Sequence, residues 1–317
     1  MRCHCACCFP RFALGMAIFL GMPLPGRAEV VVRQTAKGML VEIDGSLFTE
    51  YLTRSGAKPI LWPIIGPAGK PVTRAYPMSD VAGETKDHVH QRSLWFTHGD
   101  VNGVSFWHEN ANHGTIVHRQ FSEVRSGPEA GFVTDNDWIG PDGKKLLTDQ
   151  RRLRFGVEGN ARWIDFDITL KATAGPVKLG DTKEGTFGVR VAETMRVDAK
   201  LGGRIVNSEG KINQDAWGRQ AAWVDYHGPV GGQVVGIAIM NHPTSFRFPT
   251  HWHVRTYGLF AANPFGIHEF PGGENKDGGY VIEAGKSITL RYRVWIHLGD
   301  EKEGRVASAF EAYSKRQ

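Results

Sequence analysis

Beyond its eighth residue this chain contains no cysteine; Cys3, Cys5, Cys7 and Cys8 are the only four. A disulfide framework and thiolate chemistry are thereby excluded from everything downstream. The cysteines and His4 are spaced too tightly for a zinc knuckle. Long apolar runs are also lacking. The stretch from Phe12 to Leu24 is the best candidate, and at roughly 13 residues it is too short to span a bilayer comfortably. Net positive charge is small, since the formal +5 falls to +2 once Arg2, Arg11 and Arg27 are set aside. That excess is too small and too dispersed for a nucleic-acid surface. Helical periodicity is nearly absent. So are a phosphate-cradling glycine loop before a helix, a Gly-x-Ser-x-Gly elbow, a helical His-Glu-x-x-His motif and a convincing carboxylate pair for ordinary glycoside hydrolysis.

The N-terminus reads as a signal peptide over residues 1–28. Arg2 and Arg11 supply positive charge, the apolar stretch follows, and Gly26-Arg27-Ala28 offers small residues for cleavage. The mature chain, residues 29–317, is then expected to be periplasmic or secreted, with no inserted membrane segment. Hydrophobic residues at 41% and charged residues at 22% suit a soluble globular protein.

Short alternating segments separated by Gly, Pro, Asn and Asp predict strands at Val30–Arg33, Met39–Ile43 and Ser46–Leu52. Arg162–Ala172 and Ser287–Leu298 alternate over longer runs. Val234–Met240 is continuously apolar, as a strand buried on both faces would be. One helix is predicted, Glu303–Lys315, with Val306, Phe310 and Tyr313 along one face. With 39 glycines and no linker or repeat, the pattern predicts one all-β domain, a large two-sheet β-sandwich with a short C-terminal helix.

Two histidine- and aromatic-rich blocks stand out, Asp87–Glu109 and Asn241–Gly266. They hold His88, His90, His98 and His108, then His242, His251 and His253, among Trp95, Trp107, Trp252 and Tyr257. Aromatic faces suit the C–H side of a sugar, while His, Arg and Asn can address its hydroxyls. In a strand, His88/His90 and His251/His253 would each share a face, so a metal on these four is the competing reading. No cofactor is otherwise implied. Arg190, inside an apolar alternating segment, requires a carboxylate or a bound anion. Asp181, Lys183 and Glu184 form a charged turn just before it. Trp223, Asp225 and His227 fall at successive i+2 positions, with His227 expected to serve a turn.

The segments DHVHQRSLWFTHGDVNG, GTFGVRVAETM, AAWVDYHGP and HPTSFRFPTHWHVRTYGLFAANPFG together resemble the PmoA-like family of exported bacterial proteins. It is a domain of unknown function whose members are sometimes labelled "methane oxygenase". The resemblance implies a fold similar to the galactose-mutarotase type of β-supersandwich, with a carbohydrate ligand. The family's polar positions fall here on His88, His90, Trp95, His98, Asp181, Arg190, His242, His253, Arg255, Tyr257 and Asn263; Gln91 replaces a histidine common among relatives. The oxygenase label implies a membrane enzyme, which this chain does not resemble.

The expectation is an exported protein that binds a sugar or oligosaccharide between the two blocks. Any chemistry would be lyase-, epimerase- or hydrolase-type proton transfer. His90 or His253 would act as acid or base, Tyr257 as a secondary acid, and Arg190 or Arg255 would hold a carboxylate or oxyanion. His88, Gln91, Trp95, His98, Asp181, His242 and Asn263 would bind substrate. The alternatives are a non-catalytic carbohydrate-binding module and a metal-dependent oxidoreductase.

Overall fold

Period-2 alternation is what the chain uses to build itself. In the computed structural model, which describes Met1, residues 28–128 and residues 130–316, two eight-stranded sheets pack face to face. Apart from its end residues, the expected leader lies outside the described residues. The first sheet runs from edge to edge through Val30–Gln34, Gly38–Ile43, Ser46–Ser55, Lys58–Ile64, Leu94–His98, Gly185–Arg190, Leu259–Asn263 and His251–Val254. The second runs through Arg204–Asn207, Trp223–Val230, Gln233–Asn241, Ser287–Leu298, Ala161–Lys171, Lys145–Glu158, Gly131–Ile139 and Thr115–Arg125. Neighbouring strands pair antiparallel throughout both. No described helix is long and apolar enough to cross a membrane.

The inner faces supply alternate residues to one core. Leu94, Phe96, Phe187, Val189 and Phe260 come from the first sheet, and Phe132, Phe166, Tyr226, Tyr292 and Val294 from the second. Phe187 stacks on Tyr292 across the gap, centroids 4.8 Å apart and planes 5° from parallel. Truncating such a ring to alanine costs about 3–5 kcal/mol. The Gln233–Asn241 strand is buried on both faces beyond its first two residues, as its apolar run predicts. There Ala238 and Met240 meet Val306, Ala309 and Tyr313 of the terminal helix, with Phe310 packed alongside. That helix covers Val306–Ser314, starting later than its periodicity suggests. The backbone at Arg305 is left-handed, with φ 52°, so the residues before it turn instead of coiling.

Alternation also decides what the first sheet shows on its other face. Cross-strand partners form one row over six strands: Leu52, Ile60, Trp95, Gly188, Ala261 and His253. The two smallest side chains stand in the middle of it. A Cβ on Gly188 would lie 2.5 Å from Cζ2 of Trp95, so the indole lies flat over that strand because nothing projects there.

Candidate functional site

The row is the floor of a site, and the two histidine blocks rise on either side of it. On one side the segment before Leu94–His98 brings Asp87, His88, His90 and Gln91. Arg190, at the end of its strand, is fully buried and has the carboxylate that its position requires. Its Nη2 donates to Oδ1 of Asp87 at 2.9 Å and its Nη1 to Oε1 of Gln91 at 2.5 Å. Arg74 donates to the same Asp87 oxygen at 2.5 Å and to the carbonyls of Thr85, His88 and Gln91. Burial opposes charge on Asp87, but Arg190, His88 and Arg74 together hold its carboxyl down to about 2. Its other oxygen lies 2.9 Å from Nδ1 of His88. An imidazole that donates Nδ1–H to a carboxylate keeps a lone pair on Nε2.

His88 stacks on Tyr257, with centroids 5.3 Å apart and planes 9° from parallel. Two cations also approach that phenol ring: Arg190 lies 4.9 Å and Arg255 5.7 Å from the ring centre. The Gln91 amide approaches the phenol oxygen at 3.5 Å, leaving the O–H free to donate. Burial raises the pKa of Tyr257, so the phenol stays protonated.

From the far edge strand, His251 and His253 share the outer face, as the i+2 spacing requires. Trp217, from a turn of the second sheet's long connection, donates its indole N–H to Nδ1 of His253 at 2.9 Å. An indole nitrogen is only a donor, so the proton of this neutral imidazole sits on Nε2. Burial, with Arg255 and Lys183 nearby, lowers the pKa of His253 to about 3. His253 is therefore a fixed hydrogen-bond donor, not a base. His251 stacks on Phe270 at 5.6 Å. Arg255 lies 5.6 Å over Trp217 as well as over Tyr257, and among the described residues its guanidinium meets no carboxylate.

His90 sits deeper, 4.9 Å from His108 and 6.3 Å from Trp107 between ring centres. Burial first, then Lys58, His108 and His88, lower its pKa to about 3. That makes it a weak proton acceptor at neutral pH. Beneath it Lys58, wholly buried, donates to Glu109 at 2.9 Å, and Arg92 clamps the same carboxylate at 3.0 and 2.7 Å. Burial brings the Lys58 amine down to about 8. Trp95 and Trp107 pack at 5.3 Å, and neither indole N–H finds an acceptor among the described residues.

Four expected site residues are not brought to this cleft, because their polar atoms serve the protein. His98 points into the sandwich and meets the Gly180 carbonyl through Nε2 at 2.9 Å. Asp181 accepts from the backbones of His268 and Gly278 and from the His268 ring. Asn263 donates to the Thr182 carbonyl and accepts from the Phe265 and Gly266 amides. His242 bonds to Thr244 and the Arg316 carbonyl beside Tyr313, on the second sheet. Nor do His88, His90, His251 and His253 assemble a metal set; among the described residues no three of them place ligand atoms within 4.8 Å. His227 lies within its strand instead of a turn.

Several residues of the cleft escape sequence reading. Lys58 carried the same signal as Arg190, one cation in an apolar strand, and Asp87 stood at the head of the first block. Arg74 and Trp217 had no signal of their own.

The sequence matches no curated protein. Among solved structures, similarity is found to a glycoside hydrolase family 97 enzyme from Pseudoalteromonas sp. strain K8 in complex with acarbose, at 10% identity and a TM-score of 0.32 over 86% of this chain and 34% of that one. A GH36 alpha-galactosidase, AgaA from Geobacillus stearothermophilus in complex with stachyose, aligns at 11% identity and a TM-score of 0.36 over 92% of this chain and 42% of that one. This chain thus spans about a third of the length of the former. Likenesses this distant transfer no catalytic residue. Residues 39–311 match the model of a family of unknown function, DUF6807, and the chain belongs to that family.

Proposed function

We propose that this protein binds a sugar or oligosaccharide on the outer face of the first sheet and acts on it by proton transfer. The observation that carries the reading is the Asp87–His88 pair stacked against Tyr257. An oriented imidazole with a free nitrogen, beside a protonated phenol, is a base and an acid within one site. His88 takes the base role in place of His90 and His253. Tyr257 is the proton donor. Arg190 positions Asp87, and His253 donates from Nε2 to a ligand oxygen. Trp217, partly exposed, offers an apolar face to a ring, while Trp95 and Trp107 are buried and support the floor beneath it.

Arg255 adds a preference. A half-buried guanidinium between two aromatic rings, with no carboxylate to meet among the described residues, suits the carboxylate of an acidic sugar. Proton abstraction beside such a carboxylate leads to elimination or epimerisation, and Arg255 would hold the developing charge. Export on the leader over residues 1–28 and kinship with the PmoA-like proteins, carried by the four motif segments, belong to the same proposal.

The test is incubation with neutral and uronate-containing poly- and oligosaccharides, followed by chromatography of products, with His88→Ala as control. Turnover lost in the variant supports the reading, and turnover that survives removes His88 from the chemistry. Binding without product over long incubation selects a non-catalytic carbohydrate-binding module. A redox product dependent on added copper or iron would select the oxidoreductase.

A further inference from the structure

The outer face of the second sheet carries a separate cluster. The strand Trp223–Val230 alternates, so Val224 and Tyr226 enter the main core while Trp223, Asp225 and His227 face outward. Across the sheet, His227 pairs with Gly236 and Gly236 with His297. Gly236 is needed there, because a Cβ on it would collide with the His297 imidazole; a Cβ on Gly304 would collide with the same ring from the turn after the strand. Two glycines therefore hold His297 in one orientation.

In that orientation Nδ1 of His297 faces the Leu298 carbonyl at 3.1 Å and Nε2 faces Oδ2 of Asp225 at 2.7 Å. The other oxygen of Asp225 lies 2.6 Å from Nδ1 of His227, and Oε2 of Glu301 lies 4.0 Å from that same nitrogen. One ligand atom from each of Asp225, His227 and Glu301 falls within 4.8 Å of the others. Asp225 is wholly buried, and the side chains of His227 and Glu301 are only 7% and 15% exposed. Each oxygen of Asp225 already meets an imidazole, but among the described residues Glu301 meets only the His227 ring, at 4.0 Å, and a carboxylate this buried is costly without a cation beside it.

We propose that Asp225, His227 and Glu301 form a binding site for a divalent transition-metal ion, with Zn2+ as the ion it fits best. One imidazole and two carboxylate oxygens are zinc donors, with a fourth position left for water. His297 is the outer partner that orients the Asp225 carboxylate, the arrangement that makes metal sites strong. Zinc–ligand bonds of about 2.0–2.2 Å set tetrahedral donors roughly 3.3 Å apart, so Nδ1 of His227 and Oδ1 of Asp225 must part slightly from 2.6 Å and Oε2 of Glu301 must close in from 4.0 Å. Glu301 supplies that movement, since it sits in the turn between the Ser287–Leu298 strand and the Val306–Ser314 helix. Binding displaces the Nδ1 proton of His227 to solvent. Of the three ligands Glu301 lines a cleft of about 370 Å3, together with Trp223, Asn207 and Arg305, and would take the ion from it. The ion would fasten the turn and terminal helix to the strand that carries Asp225.

The test is zinc titration by calorimetry on the full chain with its four cysteines alkylated, followed by dialysis and elemental analysis. Wild type should retain one more equivalent of zinc than His227→Gln and than Glu301→Gln. Zinc should raise the thermal midpoint of wild type by several degrees and move neither variant. Glu301→Gln alters only a turn residue, so it keeps the test open if the His227 variant fails to fold. Equal zinc stoichiometry in wild type and Glu301→Gln overturns the site, because any zinc bound then resides on other histidines. Retention of Ca2+ but not Zn2+ overturns it as well.

Discussion

The Asp87 carboxylate stands 2.9 Å from Nδ1 of His88, while its other oxygen receives two buried guanidiniums, Arg74 and Arg190. One carboxylate thus both orients an imidazole and neutralises the floor beneath it. Its two tasks separate by mutation. His88→Ala should lower kcat by about 10²–10⁴-fold with little effect on stability, because the ring is partly exposed. Asp87→Asn should lower kcat and also destabilise the fold by about 3–5 kcal/mol, since it leaves buried charge uncompensated. Product chromatography and denaturant titration on both variants check this; equal stability loss in the two would contradict the division.

Trp217 determines the tautomer of His253. In wild type, imidazole nitrogen NMR should show an unprotonated Nδ1 and a protonated Nε2 at neutral pH. Trp217→Phe removes the donor at 2.9 Å, should let the tautomers mix, and should cost about 1 kcal/mol of stability.

Arg255 should discriminate ligands by charge. Arg255→Ala is expected to weaken uronate-containing oligosaccharides by about 10- to 100-fold, from the 1.5–3 kcal/mol of a charged hydrogen bond, and to leave neutral ones within a few-fold. Calorimetric titration of matched acidic and neutral ligands is the measurement. Equal losses for both would make Arg255 a packing residue.

Gly188 keeps the floor flat. Gly188→Ala places a methyl 2.5 Å from the Trp95 ring, between core on one face and Trp107 behind the indole. The expected cost is about 1–3 kcal/mol, with a shift in tryptophan emission as the indole lifts. Unchanged emission and stability would mean that the ring yields freely.

Stability should fall as the solution is acidified. Burial lowers His98 to about 4 and His253 to about 3. In the unfolded chain each titrates near 6.5, so the unfolded state binds the extra protons first. The contribution is complete above about pH 6.5 and is lost as pH falls toward the folded values, at about 1.4 kcal/mol per pH unit for each fully buried ring. Urea midpoints at pH 7, 6 and 5 should fall, and His253→Gln should flatten the fall.

Much of the architecture was legible in the sequence because period-2 alternation is a local property. Ser287–Leu298 alternates in sequence and forms a strand over those same residues. Val224 and Tyr226 enter the core while Asp225 and His227 turn away, as the spacing requires. Arg190 announced a buried partner but could not say which. The histidine blocks were legible as a place and not as roles. His98 belongs to the same block as Trp95, yet it faces inward while Trp95 faces outward, because residues of one strand alternate between faces.

Composition and spacing by themselves determined an all-β chain with two polar, aromatic clusters, since both follow from which residues are present and how they alternate. Only the tertiary structure decided that Trp95, Gly188, Ala261 and His253 form one row across four strands. Register between strands far apart in sequence depends on long-range pairing that no local pattern encodes. The same holds for chemistry. Protonation and tautomer depend on neighbours within a few ångströms, and the Asp87, Trp217 and Lys58 that govern His88, His253 and His90 reach them only through the fold.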